Sequence, residues 1–383
     1  MPFGVVVIFT TESPTMKTLA DRVAKTEASG IRKIFDLAAN LKNPVDLSIG
    51  QPDFDVPDLL KEKAAEAIKQ GKNAYTPTQG GRDLREKLLA GPFKGRSEKQ
   101  LLVTGAVSGG LLLSYMALLN AGDEILIPDP YFVMYKQLAV MFNAKPVFYD
   151  TYPEWKLDAD KIASLVTPRT KAIVLGSPSN PTGAVYGAEE LKAVAEVVKK
   201  NDLIVIADDI YEFYCYDAPL ARIRDYCPDH TLSLGGFSKS HAMTGWRVGW
   251  AVGPEDLIQA MTKFQQFSFV CAPSPFQSAA AAAIDFDMSE SIKTYKAKRD
   301  LLYNGMKDAG YDVVKPGGAF YIFAKAPWGT GTEFVEECIR NNLLCIPGGC
   351  FSEKDTHFRL AYSAKDDTIR QGIEILAKLK NKG

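Results

Sequence analysis

Lys239 occupies an unusual place in the chain. It follows the apolar run 231–234 and two glycines, and serines rather than other charges flank it. Eight residues on, Arg247 opens a second apolar run. An ammonium buried at the end of a strand is costly, so its pKa falls and the amine becomes nucleophilic. Amines of that kind form Schiff bases with carbonyl compounds.

One such carbonyl compound is pyridoxal 5'-phosphate (PLP). Its site would need an acid for the pyridine nitrogen, donors for the phenolic oxygen, an anion cradle and a clamp for a carboxylate. In "VIADDIYEFY", Asp208 ends an apolar run and Tyr211 follows three residues later. A carboxylate facing the pyridinium would keep its nitrogen protonated, and the ring could then accept electrons. Tyr211 and Asn180, the latter in "SPSNPTG", can both donate to the phenolic oxygen. By itself, Asn-Pro-Thr-Gly is also a turn signature. For the anion, "VTGAVSGG" runs off a predicted strand into a helix starting near Ser108. The unpaired N–H groups of a helix start make such a cradle, and Ser238 and Arg247 would complete it. The loop lacks GK[ST] and is not GxGxxG, so it matches neither nucleotide-binding fingerprint.

These residues need elements to hold them. Short apolar runs at 101–104, 124–128, 146–149, 172–175, 203–207, 231–234 and 248–252 predict strands. Helix-period segments such as 108–120, 131–141 and 188–200 lie between them. That alternation predicts an α/β fold, its large domain built on a mostly parallel mixed sheet covered by helices. After about residue 280 the texture changes. A long helix-like stretch (278–308), a run at 320–324 and a closing helix after Lys365 read as a smaller α+β domain. The expected division is an N-terminal arm (1–15), a first part of the small domain (16–45), the large domain (46–280) and the rest of the small domain (281–383). The amphipathic "SGIRKIFDLAANL" is expected to pack with the small domain.

The bulk numbers narrow the function classes. Over 383 residues, Lys+Arg 45 against Asp+Glu 46 gives a formal net charge of −1. No basic stripe points to nucleic acid, and no run reaches the roughly 18 apolar residues of a membrane span. Six scattered cysteines without a CxxC pair read as reduced thiols of a cytoplasmic enzyme. Three dispersed histidines do not form a His-based metal site, and no metal is expected. The apolar patch 5–9 is short, with no basic residue ahead of it, which argues against a secretory signal. Met16 begins a cleaner amphipathic pattern, so the first fifteen residues read as a dispensable arm or an upstream start.

The sequence resembles a class I/II aminotransferase of the PLP-dependent fold-type I superfamily, aspartate aminotransferase-like. The resemblance runs over nearly the whole chain from about residue 17. It rests on "LSIGQPDFDVP", "YTPTQGGRDLR", "SPSNPTG", "ADDIYEFY", "SKSHAMTGWRVG" and "FRLAYS", six motifs in the family's order. It implies that Lys239 is the Schiff-base lysine, Asp208 rather than Asp209 the pyridine partner, and Tyr211 and Asn180 the phenolic-oxygen ligands. It further implies Ala106, Val107 and Ser108 as the phosphate loop beside Ser238 and Arg247. Phe132 would stack on the ring, with Tyr131 as the alternative. Arg359 would fork the substrate α-carboxylate with the Gly50 backbone as helper. Tyr75 matches a tyrosine reaching the phosphate of the other subunit, which implies a homodimer. The implied reaction moves an amino group between an L-amino acid and a 2-oxo acid such as 2-oxoglutarate, by a ping-pong mechanism.

Two positions depart from the family's pattern. Gly236 stands where the family often has a serine, so one phosphate donor is absent. Ser108 stands where some aspartate-preferring relatives carry a lysine for a distal carboxylate. A PLP-dependent carbon–sulfur β-lyase would share the cofactor residues, and a non-catalytic binding protein of the same fold is a further alternative. Each residue also has a plainer reading: Asp208 as a turn acid, Arg359 as a surface ion pair, Tyr75 and Phe132 as packing. His241 and Cys271 are read as structural.

Overall fold

The computed structural model describes residues 19–27 and 41–382. The expected N-terminal arm and most of the 29–41 segment lie outside the described residues. β1 (Val45–Asp46) comes first among the strands, followed by β2 (Leu101–Thr104), β3 (Glu124–Asp129), β4 (Lys145–Asp150) and β5 (Thr170–Gly176). β6 (Ile204–Asp208), β7 (Thr231–Gly236) and β8 (Gly249–Val252) complete a seven-stranded sheet in the order β2-β8-β7-β6-β5-β3-β4. All neighbours are parallel except at β8, which runs against both β2 and β7. Every residue of β2, β3, β7 and β8 is buried, as expected of strands covered on both faces. The expected mostly parallel α/β architecture is the one observed.

The covering helices follow their patterns. In Ala188–Lys200 the buried side chains are Leu191, Val194, Ala195 and Val198, one helical stripe. Glu190 caps the start by accepting from the Gly187 N–H at 2.8 Å. The helix Ala106–Leu118 is buried nearly all round and lies close on the sheet. A Cβ at Gly110 would stand 2.9 Å from Leu234 Cδ2. That close approach holds the start of the helix at the carboxyl edge of the sheet, where the reactive residues gather.

A second sheet joins β9 (Tyr321–Lys325), β11 (Ile346–Pro347) and β12 (His357–Ala361) in the antiparallel order β11-β12-β9. β10 (Leu343–Leu344) pairs in parallel with β1, placing Val45 opposite Leu343. The chain from residue 45 to 50 therefore runs beside β12, and Ala361 N–H donates to Leu47 O at 2.7 Å. The long stretch expected over 278–308 is two helices, Ser274–Ala283 and Ser289–Asp308. Asp287 causes the break, because its carboxylate accepts from both the backbone N–H (2.9 Å) and the hydroxyl (3.0 Å) of Ser289. Such a local side-chain turn starts a new helix rather than continuing the old one.

Gly249 is the tightest point where the sheet meets the candidate anion cradle. A Cβ there would lie 2.6 Å from Gly235 O and 2.9 Å from Ala106 Cα, both backbone atoms that cannot swing away. Gly249→Ala should cost about 3 kcal/mol in denaturant unfolding, at the upper end of overpacking effects. Gly245→Ala has open space around its new methyl and should stay within about 0.5 kcal/mol. Equal, small losses for both would contradict this packing.

Candidate active site

β2, β3, β5, β6 and β7 point the same way, so their carboxyl ends share one edge, the usual place for a ligand crevice in such sheets. Ala106–Ser108 follow β2, Phe132 follows β3, Asn180 follows β5, Asp208 ends β6, and Ser238 and Lys239 follow β7. Arg247 joins them because β8 runs backwards, which puts its beginning at that edge. The left-handed backbone of Arg247 (φ 58°) makes the turn into β8. Together with Gly50, Tyr211 and Arg359, these residues line one cavity of about 400 Å³.

Lys239 donates from Nζ to the carbonyl oxygen of Gly50 at 2.6 Å. Burial, then the positive charges of Arg359 and Arg247, lower its pKa to about 8, while the Asp208 carboxylate pulls the other way. Asp208 is 5% exposed. Its Oδ2 accepts from the Tyr135 hydroxyl at 2.7 Å and its Oδ1 from the Ile210 N–H at 3.2 Å. Burial raises its pKa, and those two donors counter the rise. Asp209 faces away from the cavity and pairs with Arg224 at 2.8 Å. Of the two aspartates, Asp208 lines the cavity and Asp209 does not.

Arg359 is 3% exposed. Its NH1 donates to Asn180 Oδ1 at 3.0 Å and its NH2 to Ser48 O at 2.9 Å. The guanidinium lies between two rings, 4.5 Å from the centroids of both Tyr321 and Phe351. Burial presses its pKa down. The Asn180 oxygen is thus engaged, and its NH₂ remains as the donor available to a ligand. Ser238 Oγ is buried and has no hydrogen-bond partner among the described residues. Ala106, also in the left-handed region (φ 59°), starts the helix whose first N–H groups edge the cavity.

Phe132 lines the cavity, whereas Tyr131 does not: its hydroxyl donates to Glu353 at 2.6 Å and its ring stacks on Phe148. Tyr75 lies away from the cavity. It is 81% exposed and lines a separate cleft with Arg82 and Gln277. Sequence reasoning missed Tyr135 and Tyr321. Tyr135 follows Phe132 by three residues at the start of a helix, a spacing that puts both on one face. Tyr321 arrives from β9, and its hydroxyl sits 2.7 Å from that of Tyr211. It also explains Gly50, where a Cβ would be 2.5 Å from the Tyr321 oxygen.

Residues 42–376 match the family described as aminotransferase class I and II. A probable aspartate aminotransferase of Methanocaldococcus jannaschii is 37% identical over 380 residues, spanning 94% of this chain and 99% of that protein. Aromatic-amino-acid aminotransferase 2 of Thermococcus litoralis is 34% identical over 383 residues, spanning 94% and 98%. The solved aspartate aminotransferase from Thermus thermophilus with maleate superposes with a TM-score of 0.91 at 31% identity, covering 95% of this chain and all of that one. The chain belongs to the class I and II aminotransferases. It is an enzyme of the transaminase type with the fold-type I architecture, and these relatives favour that reading over a β-lyase.

The lowered pKa of Lys239 has a measurable consequence. In cofactor-free protein, labelling of Lys239 by an amine-reactive reagent should rise with a midpoint near pH 8, well below an ordinary lysine. Asp208→Asn removes the charge that favours the ammonium and should move that midpoint lower. Asp209→Asn should leave it in place. A midpoint above pH 10 in the wild type would contradict the burial argument.

Proposed function

We propose that the enzyme uses pyridoxal 5'-phosphate, held on Lys239, to move an amino group between an L-amino acid and a 2-oxo acid such as 2-oxoglutarate. The observation that carries this is the opening of a lowered-pKa amine, a buried carboxylate and a ring-sandwiched arginine onto one cavity. The buried hydroxyl of Ser238, without a partner among the described residues, supports a phosphate at the helix start, where Ala106, Val107 and Ser108 offer N–H groups and Arg247 a cation. Gly236 adds no hydroxyl there.

Bound in this site, the cofactor supplies an aldehyde for the amino group and a protonated ring that withdraws electrons from the substrate's α-carbon. Asp208, oriented by Tyr135, would hold the proton on the ring nitrogen. Tyr211 and the Asn180 NH₂ would donate to the phenolic oxygen, and Phe132 would pack against the ring. Arg359 would fork the α-carboxylate, assisted by the Gly50 backbone, and so orient the substrate's α-carbon. Once the substrate's amine took its place on the aldehyde carbon, Lys239 would take the α-proton as general base and deliver it to that carbon as general acid. Water would release the first oxo acid, and a second oxo acid would run the half-reaction backwards, giving ping-pong kinetics.

Residues 46–280 make the large domain, and the described parts of 16–45 and 281–383 the small one; the β1–β10 pairing supports joining residue 45 to the second part, while Glu27 N–H reaches Gln137 of the large domain at 3.1 Å. The enzyme works in the cytoplasm, in keeping with its near-neutral charge and scattered cysteines. Among the described residues, no helix is long and apolar enough to cross a membrane. It acts as a homodimer in which Tyr75 reaches the phosphate of the partner's site. An 81%-exposed tyrosine gains most when its ring is covered and its hydroxyl meets an anion. A twofold axis makes that contact reciprocal.

One experiment addresses the set. Oxo-acid formation is followed with a panel of amino donors against 2-oxoglutarate and pyruvate, for wild type, Lys239→Ala, Tyr75→Ala and mixed dimers of the two variants. Wild type should transaminate, and Lys239→Ala should lose at least about 10³-fold in turnover. The mixed dimer should regain activity, because one of its two sites carries neither lesion. Turnover surviving in Lys239→Ala overturns the amine's role, and verified mixed dimers without recovery place Tyr75 outside the partner's site.

A further inference from the structure

The segment 351–354 touches both halves of the site without lining its cavity. On one side, the Phe351 ring packs on the Arg359 guanidinium, 4.5 Å to the centroid. On the other, the Phe351 carbonyl accepts from the Tyr131 N–H at 2.6 Å. Tyr131 is the residue before Phe132, which lies over the cavity. The next residue, Ser352, is buried, and its hydroxyl donates to the buried Asp129 carboxylate at 2.5 Å, at the end of β3. The same oxygen accepts from the Tyr152 hydroxyl at 2.8 Å and from the Lys354 N–H at 2.9 Å. The donors thus run one way, from Tyr152 to Ser352 to Asp129.

Around this chain the segment is fastened again. Glu353 accepts from the Tyr131 hydroxyl at 2.6 Å and pairs with Lys136 at 2.7 Å. Lys354 pairs with Asp150 at 2.7 Å. These outer pairs are partly exposed and contribute little each. The Ser352–Asp129 bond differs, being buried and charge-assisted, and such bonds are the stronger and better-directed kind. It is therefore the contact with most influence over where the strap, and the Phe351 ring it carries, comes to rest.

We propose that Ser352 is a positioning residue: through its bond to Asp129 it fixes the Phe351 ring under Arg359, and with it the distance from the carboxylate fork to the Phe132 face. The arginine is held by two rings and two carbonyl-type acceptors, so a shift of one ring tilts the fork away from its substrate. Substrate affinity then depends on a hydroxyl that touches neither substrate nor cofactor. This inference rests on Arg359 as the carboxylate clamp.

The test is steady-state kinetics of the holoenzyme with one amino donor and one oxo acceptor. Ser352→Ala should raise KM for both substrates about fivefold, the loss of one hydrogen bond's orienting effect, with kcat changed less than about twofold. Tyr152→Phe, which keeps its ring and removes only the outer donor, should move both KM values the same way by a smaller factor, and it carries the test should Ser352→Ala fail to fold. Arg359→Leu is the control for the underlying reading. A raised KM in Arg359→Leu with unchanged KM values in Ser352→Ala or Tyr152→Phe overturns the positioning role only. An unchanged KM in Arg359→Leu overturns the clamp itself. A fall in thermal stability of the serine variant with no KM change shows a purely structural bond and also overturns the proposal.

Discussion

The bond from the Lys239 amine to the Gly50 carbonyl, 2.6 Å long, joins two parts of the chain that the sequence keeps 189 residues apart. Lys239 belongs to the edge of the seven-stranded sheet, and Gly50 to the segment running beside β12. An amine in that position must be both reachable and poorly solvated. Burial and two neighbouring arginines disfavour its charge, and a lone carboxylate, Asp208, only partly restores it. The nearby architecture serves that balance: glycines that let backbones close in, tyrosines that orient acids, and rings that hold a guanidinium in place of solvent.

The same requirement accounts for the second charged group. Arg359 is as buried as the core, yet its partners are a backbone carbonyl, an amide oxygen and two ring faces rather than a carboxylate. A buried guanidinium satisfied only by neutral acceptors is left with unspent attraction for an anion. Had an Asp or Glu been its partner, a substrate carboxylate would have to compete for it. The arrangement keeps one positive fork open and links it, through Tyr321 and Phe351, to both Tyr211 and the strap at Ser352.

Much of this was legible in the residues. The run-and-helix alternation yields the sheet because doubly covered strands must be apolar throughout, and each predicted strand lies within a residue or two of the observed one. The site residues on that sheet edge were legible because they follow strand ends directly. What escaped was whatever depends on direction in space. Tyr321 comes from another sheet, and nothing in "GGAFY" says that its hydroxyl reaches Tyr211. Tyr131 and Phe132 are adjacent aromatics, and only the start of the helix decides which faces the cavity. The break between the helices Ser274–Ala283 and Ser289–Asp308 was missed because the helix period persists across it while one aspartate turns the backbone.

We propose that pyridoxal 5'-phosphate bonds to the Lys239 amine and to no other. Borohydride reduction of the PLP-loaded enzyme, followed by peptide mapping by mass spectrometry, tests it most directly. One pyridoxyl group per chain is expected, on the peptide containing Lys239. A pyridoxyl group found on a different lysine, or none retained after reduction, would contradict it.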